Sequence, residues 1–129
     1  MDKIELIRVY DIKSLAPEHS FLVDRLWPRG VSKARLSGVQ WLKDIAPTNT
    51  LRHWFHEHSD RWSEFEQRYI NELKNNPSWQ PLLNLLKEGI PIKLLFASKD
   101  TQHNQAIVLR DFLLNQLTDN DKKHRQTAE

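Results

Sequence analysis

The sequence predicts an α/β fold: a small, mainly parallel sheet flanked by helices in one layered domain. Two observations predict it. Three short apolar runs at 4–10, 21–26 and 92–97 read as strands. The long connection from Leu26 to Ile92 is largely helical, as a crossover between parallel strands requires.

Ile4-Glu5-Leu6-Ile7-Arg8-Val9-Tyr10 alternates apolar and mixed residues and forms the first strand of this reading. Residues 11–20 hold Pro17 and several polar side chains and read as a loop with room for one helical turn. The second strand covers 21–26, and Trp27 is pushed towards an extended conformation by Pro28. Ser32 can cap a short helix through Leu36, with Gly38 ending it. Residues 39–45 fit either a short strand or an irregular packed segment. Pro47-Thr48-Asn49-Thr50 is a helix start, after which Leu51, Trp54 and Phe55 share a face. A second helix follows Ser59-Asp60, with Trp62, Phe65, Tyr69 and Leu73 inward, and Asn75-Asn76-Pro77 breaks it. Ser78 can cap a third helix carrying Leu82, Leu83, Leu85 and Leu86, closed by Gly89. The last strand spans 92–97. Asp100 or Thr101 can cap a final helix to about Leu117, with Ala106, Leu109, Leu113 and Leu117 inward. Residues 1–117 thus form one domain. Residues 118–129 hold almost no apolar side chain and are expected to be a disordered tail.

Composition narrows the function classes. The 129-residue chain is 28% charged and 39% hydrophobic, which suits a globular domain. It has no cysteine, which excludes disulfides, thiolate metal sites and cysteine nucleophiles. No apolar run approaches the ~20 residues of a membrane helix. Met1-Asp2-Lys3-Ile4-Glu5 lacks the apolar stretch of a secretion signal, so a cytoplasmic location is expected. A net charge of +2 is modest for a protein that clamps duplex DNA. The three glycines are scattered, so there is no glycine-rich phosphate loop, and no cofactor is expected.

One segment stands apart. Asp24-Arg25-Leu26-Trp27-Pro28-Arg29-Gly30 crowds charge, aromatic surface and rigid backbone at the exit of the second strand. If the strands are parallel, Tyr10-Asp11, residues 24–30 and residues 98–104 meet at one edge of the sheet, where α/β folds bind ligands. Arg25, Arg29 and Lys99 would meet an anion there, and Trp27 could stack on a flat group. The turn from Asp100 to Asn104 opens a helix whose free amides favour an anion. Asp24 and His103 are the candidate proton carriers. The competing interpretation is structural: Asp24 pairs with Arg25 or Arg29, Trp27-Pro28 plugs the core, and Asp100 only caps a helix. His53, His56 and His58 form a second cluster, but not the spacing that holds zinc, so no metal is expected.

Arg8-Val9-Tyr10-Asp11, the 24–30 motif with Ser32-Lys33, Trp41-Leu42-Lys43-Asp44-Ile45-Ala46-Pro47, Leu51-Arg52-His53-Trp54-Phe55, Arg61-Trp62, Phe65, Lys99-Asp100, His103-Asn104 and Val108-Leu109 together resemble the YeaO-like family. These are small bacterial proteins within a superfamily of unknown function (DUF488). The resemblance implies an α/β layered fold and no established reaction, cofactor or substrate. Many relatives in that superfamily carry a cysteine-histidine-arginine cluster after the last strand. With no cysteine here, chemistry drawn from that cluster does not transfer. Arg52 lies in the matched region and joins the candidate site, to reach the ligand or brace the pocket through an ion pair.

The resulting expectation is an anion-binding pocket for a phosphate-bearing ligand such as a nucleotide, with hydrolase or transferase chemistry as a class-level extension. Its ligand-binding set is Tyr10, Arg25, Trp27, Arg29, Arg52, Lys99, Asp100 and Asn104, with Asp24 and His103 as catalytic candidates. The alternative is a non-catalytic module for single-stranded nucleic acid or a protein partner.

Overall fold

A computed structural model describes residues 3–13 and 16–127. Four strands form a single parallel sheet: β1 (Ile4–Arg8), β2 (Ser20–Leu22), β3 (Gln40–Trp41) and β4 (Ile92–Phe96), in the order β1-β4-β2-β3. Four α-helices accompany it among the described residues: α1 (Asn49–Glu57), α2 (Trp62–Asn75), α3 (Gln80–Lys87) and α4 (Gln105–Thr127). The first two strands run in the same direction with β4 between them.

Strand alternation divides the core. Ile92, Leu94 and Phe96 of β4 and Phe21 of β2 face the helices. There they meet Leu51 of α1, Phe65, Tyr69 and Leu73 of α2, Leu82, Leu83 and Leu86 of α3, and Leu109 and Leu113 of α4. Leu22 and Leu95 point to the opposite face. That face is covered by Val9, Ile12, Val31 and Leu36, which come from short 3-10 turns and loops rather than helices.

Several boundaries differ from the sequence reading, each for a physical reason. β2 ends at Leu22, not at 26, because past the Val23 amide bond to the Leu95 carbonyl (3.0 Å) the chain leaves the sheet. β1 ends at Arg8, and Val9–Asp11 winds into a 3-10 turn. The ambiguous segment at 39–45 is β3, two residues long, followed by a 3-10 turn Lys43–Ile45. Ser78 does not cap α3. It sits inside a 3-10 turn (Pro77–Trp79) and donates to Asn76 Oδ1 at 2.7 Å.

The cap of α4 is Asn104, whose Oδ1 accepts the Ile107 amide at 3.2 Å. Asp100 instead closes the preceding turn, accepting the amides of Gln102 (2.9 Å) and His103 (3.0 Å). α4 continues past Leu117 to Thr127. The residues there carry no glycine or proline stop, and an established helix elongates more easily than it nucleates. Residues 14–15 of the expected loop and 128–129 of the expected tail lie outside the described residues. No described helix is long and apolar enough to cross a membrane.

Candidate functional site

The C-terminal ends of the strands share a cavity of about 430 Å³. Tyr10 after β1, residues 24–29 after β2, and Ala97, Ser98, His103, Asn104 and Gln105 after β4 line it. Of the residues singled out from sequence, Tyr10, Asp24, Arg25, Trp27, Arg29, Arg52, His103 and Asn104 come together here. Lys99 and Asp100 do not line it. Both are exposed in the turn before α4, and the role of Asp100 is to hold that turn. Sequence reasoning missed Pro47, Phe55, His56, Phe65 and Gln105 as wall residues. For Phe55 and Phe65 the helical spacing signalled only core.

Asp24 occupies the mouth between the two central strands. Its Oδ2 accepts the Ala97 amide at 2.9 Å, and its Oδ1 accepts from the Gln105 side-chain amide. It thus ties the exit of β2 to the exit of β4 and the first turn of α4. The pairing with Arg25 or Arg29 that the competing structural interpretation offered is not formed. Burial pushes its carboxyl up to about 6 from the ordinary 3.8. The Ala97 and Gln105 hydrogen bonds and the charge of Arg52 oppose that rise without cancelling it.

The arginines are held in different ways. Arg25 donates through Nε to the Pro47 carbonyl (2.9 Å) and through Nη2 to the Ala46 carbonyl (3.2 Å), so it braces the loop before α1. Arg29 is exposed, and among the described residues its guanidinium has no hydrogen-bond or ion-pair partner. Its carbonyl accepts the Tyr10 hydroxyl at 2.8 Å, which fixes the loop backbone. Gly30 then turns the chain at a φ of 77°, a conformation that favours glycine. Arg52 reaches Asn49 Oδ1 at 3.4 Å, and its Nε is buried without a partner among the described residues. A buried N–H in this state is a donor whose hydrogen bond only an acceptor atom brought beside it would complete.

The aromatic walls are held by hydrogen bonds and ring contacts. The Trp27 indole donates to the Val31 carbonyl at 2.6 Å and packs edge-on against Trp41 with centroids 5.4 Å apart. Phe55 and Phe65 stack at 4.3 Å. His103 lies edge-on to Trp62 at 5.1 Å, with Nδ1 3.2 Å from Asp100 Oδ2. The Gln102 amide bond, aided by His103, holds the Asp100 carboxyl below its usual range. Of the second histidine cluster, His56 lines the cavity, while His58 stacks on Trp54 at 4.9 Å. Among the described residues, no group of three or more histidines and carboxylates is gathered as a metal site.

Residues 3–129 match the family model described as the inactive DUF488-N3 subclade. The chain belongs to the YeaO-like DUF488 family. It is 36% identical over 110 residues to the uncharacterized protein YeaO of Escherichia coli (strain K12), covering 85% of this chain and 96% of that protein. It is 31% identical over 111 residues to uncharacterized proteins Mb3100c of Mycobacterium bovis and Rv3073c of Mycobacterium tuberculosis, covering 86% of this chain and 93% of each. No solved structure matches it. In this DUF488 chain the cavity's polar groups are arginine, aspartate and histidine side chains, amides and the hydroxyls of Tyr10 and Ser98, with no thiol among them.

Proposed function

We propose that this chain binds, without transforming it, a phosphate-bearing ligand such as a nucleotide at the C-terminal edge of its sheet. The observation that carries this reading is the cavity's arginine content: among the described residues Arg29 has no ion-pair partner and Arg52 meets only Asn49 Oδ1. Guanidinium suits phosphate because its planar fork makes parallel charge-assisted hydrogen bonds. Trp27 and Phe55 line the same cavity and are flat and apolar, as a base or other planar group would need. Binding without turnover is supported by the description of the matched family model as inactive and by the absence of a cysteine nucleophile.

A second reading, hydrolysis or transfer with Asp24 as a general base, is favoured by its carboxyl titrating near 6. Against it, both Asp24 oxygens already accept hydrogen bonds that join β2, β4 and α4. One calorimetric series separates the two. Inorganic phosphate and adenosine monophosphate are titrated into the chain and into Arg29→Ala and Arg52→Ala variants, and each mixture is assayed for product. The proposal expects monophosphate binding that weakens roughly tenfold in each variant, the effect of removing a charged hydrogen bond, and no product. Unchanged binding in both variants would refute it, whereas product lost in Asp24→Asn would favour catalysis.

A further inference from the structure

The arginines whose side chains are described fall into two groups. Arg61, Arg68 and Arg110 pair with carboxylates near them in sequence: Arg61 with Glu64 at 3.4 Å, Arg68 also with Glu64, and Arg110 with Asp111 at 3.0 Å. Those at the C-terminal edge of the sheet have no carboxylate partner among the described residues. Three of them gather around Tyr10. The Arg8 guanidinium lies 4.7 Å over the Tyr10 ring, the Tyr10 hydroxyl bonds to the Arg29 carbonyl, and Arg35 Nη2 reaches the Ile12 carbonyl (2.9 Å) and the Tyr10 carbonyl (3.4 Å). Arg8 also donates through Nε to the Ser98 carbonyl at 3.0 Å.

Backbone carbonyls orient the Arg8 and Arg35 guanidinium groups without cancelling their charge, while that of Arg29 has no partner among the described residues. Each arginine carries more N–H donors than its carbonyl partners take up. The result is a pre-oriented positive track that starts at the cavity rim and continues past it, since Arg8 and Arg35 do not line the cavity. It is more charge than a single phosphate needs. Beside it, the indole N–H groups of Trp27 and Trp41 are both spent internally, on the Val31 carbonyl and on the Asp24 carbonyl at 2.7 Å. What the Trp27 ring has left to offer the cavity is its apolar surface, while the Trp41 ring is met by Trp27 and by Lys43 Nζ, 5.1 Å from its centroid. Repeated phosphates beside flat groups describe single-stranded nucleic acid better than an acidic peptide, which has charge but no planar units to stack. A duplex keeps its bases stacked internally and away from such rings.

We infer that the ligand of this site is a single-stranded oligonucleotide, whose terminal residue enters the cavity and whose following phosphates run over Arg8, Tyr10 and Arg35. This rests on the binding reading above and extends it. The test is calorimetry with thymidine 5′-monophosphate and with 5′-phosphorylated tri- and hexathymidylate at several salt concentrations. Affinity should rise with length, and the slope of log affinity against log salt should steepen by about 0.7 for each added phosphate contact. Arg35→Ala should weaken the hexanucleotide about fivefold, as for an exposed charge contact, and leave the monophosphate unchanged. The length series on the unaltered chain stands even if that substitution loosens the turn at Ile12. A monophosphate that binds, with equal affinity and slope for the hexanucleotide, overturns this inference and leaves the cavity reading intact. An oligoglutamate of equal charge binding as tightly as the hexanucleotide also overturns it. If no probe binds, both readings fall.

Discussion

Asp24 is the residue where local chemistry and fold meet. Its carboxyl is buried and titrates near 6 in the folded chain, against an ordinary 3.8. Below about pH 4 both folded and unfolded chains hold this proton. Between about 4 and 6 the folded chain holds it and the unfolded chain does not, so stability falls as pH rises through this window. The whole effect corresponds to about 3 kcal/mol. In Asp24→Asn the asparagine oxygen can still accept the Ala97 amide, and Gln105 can turn its own oxygen towards the new amide. Urea unfolding between pH 4 and 7 should therefore show a flattened profile in the variant. An unaltered slope would place the titration elsewhere. Arg52→Ala should push the Asp24 carboxyl higher still, since the arginine charge is one of the forces holding it down, and NMR titration of the carboxyl would read this directly. Little of this was legible in sequence. Asp24 was a visible candidate, but its partner Gln105 lies 81 positions away, and nothing at either position announces the other.

At the level of elements, α1 depends on Thr48. Its Oγ1 accepts the Leu51 amide at 3.2 Å, while its hydroxyl and its own amide donate to the Glu72 carboxylate on α2 at 2.7 and 3.0 Å. One side chain thus starts α1 and fastens it to α2. Thr48→Ala should cost about 1–2 kcal/mol in denaturant unfolding. Because Arg52 and Phe55 both stand on α1, ligand affinity should drop along with stability. The start of α1 was readable from Pro47-Thr48-Asn49-Thr50, since capping is a local interaction. The start of α4 was not readable to the residue. Asp100, Thr101 and Asn104 are all good caps by type, and only the turn that Asp100 closes on itself decides for Asn104. The end of α4 failed for the opposite reason: Leu117 is the last core residue among those whose burial is described, and the backbone continues helical to Thr127.

For the whole molecule, the division of the core has unequal consequences. The helical side of the sheet is thickly packed. The other side is a small cluster built from Val9, Ile12, Leu22, Val31, Leu36 and Leu95, with Trp27 against it. This small cluster supports the 24–30 loop and hence one wall of the cavity. Leu95→Ala should cost about 2–5 kcal/mol and also weaken ligand binding in the fraction that stays folded. Leu94→Ala, a similar loss on the helical side, should cost stability while sparing affinity more. Chemical denaturation and calorimetry on the same samples compare the two. The alternation of apolar side chains made the strands legible in sequence. It could not reveal that, among the described residues, 3-10 turns and loops rather than α-helices cover the second face, because that depends on where the crossovers pass.

The two borders of the sheet are unlike. β3 offers a neighbouring molecule only Gln40 and Trp41 for strand addition, too short a ladder to hold another chain. β1 presents Ile4–Arg8 on the opposite border, with Glu5 exposed and Arg8 at its end. Among the described strands β1 is the longer free border, and two copies paired there by a two-fold axis would each have used it. Such association closes on itself as a pair and cannot lengthen into a fibre.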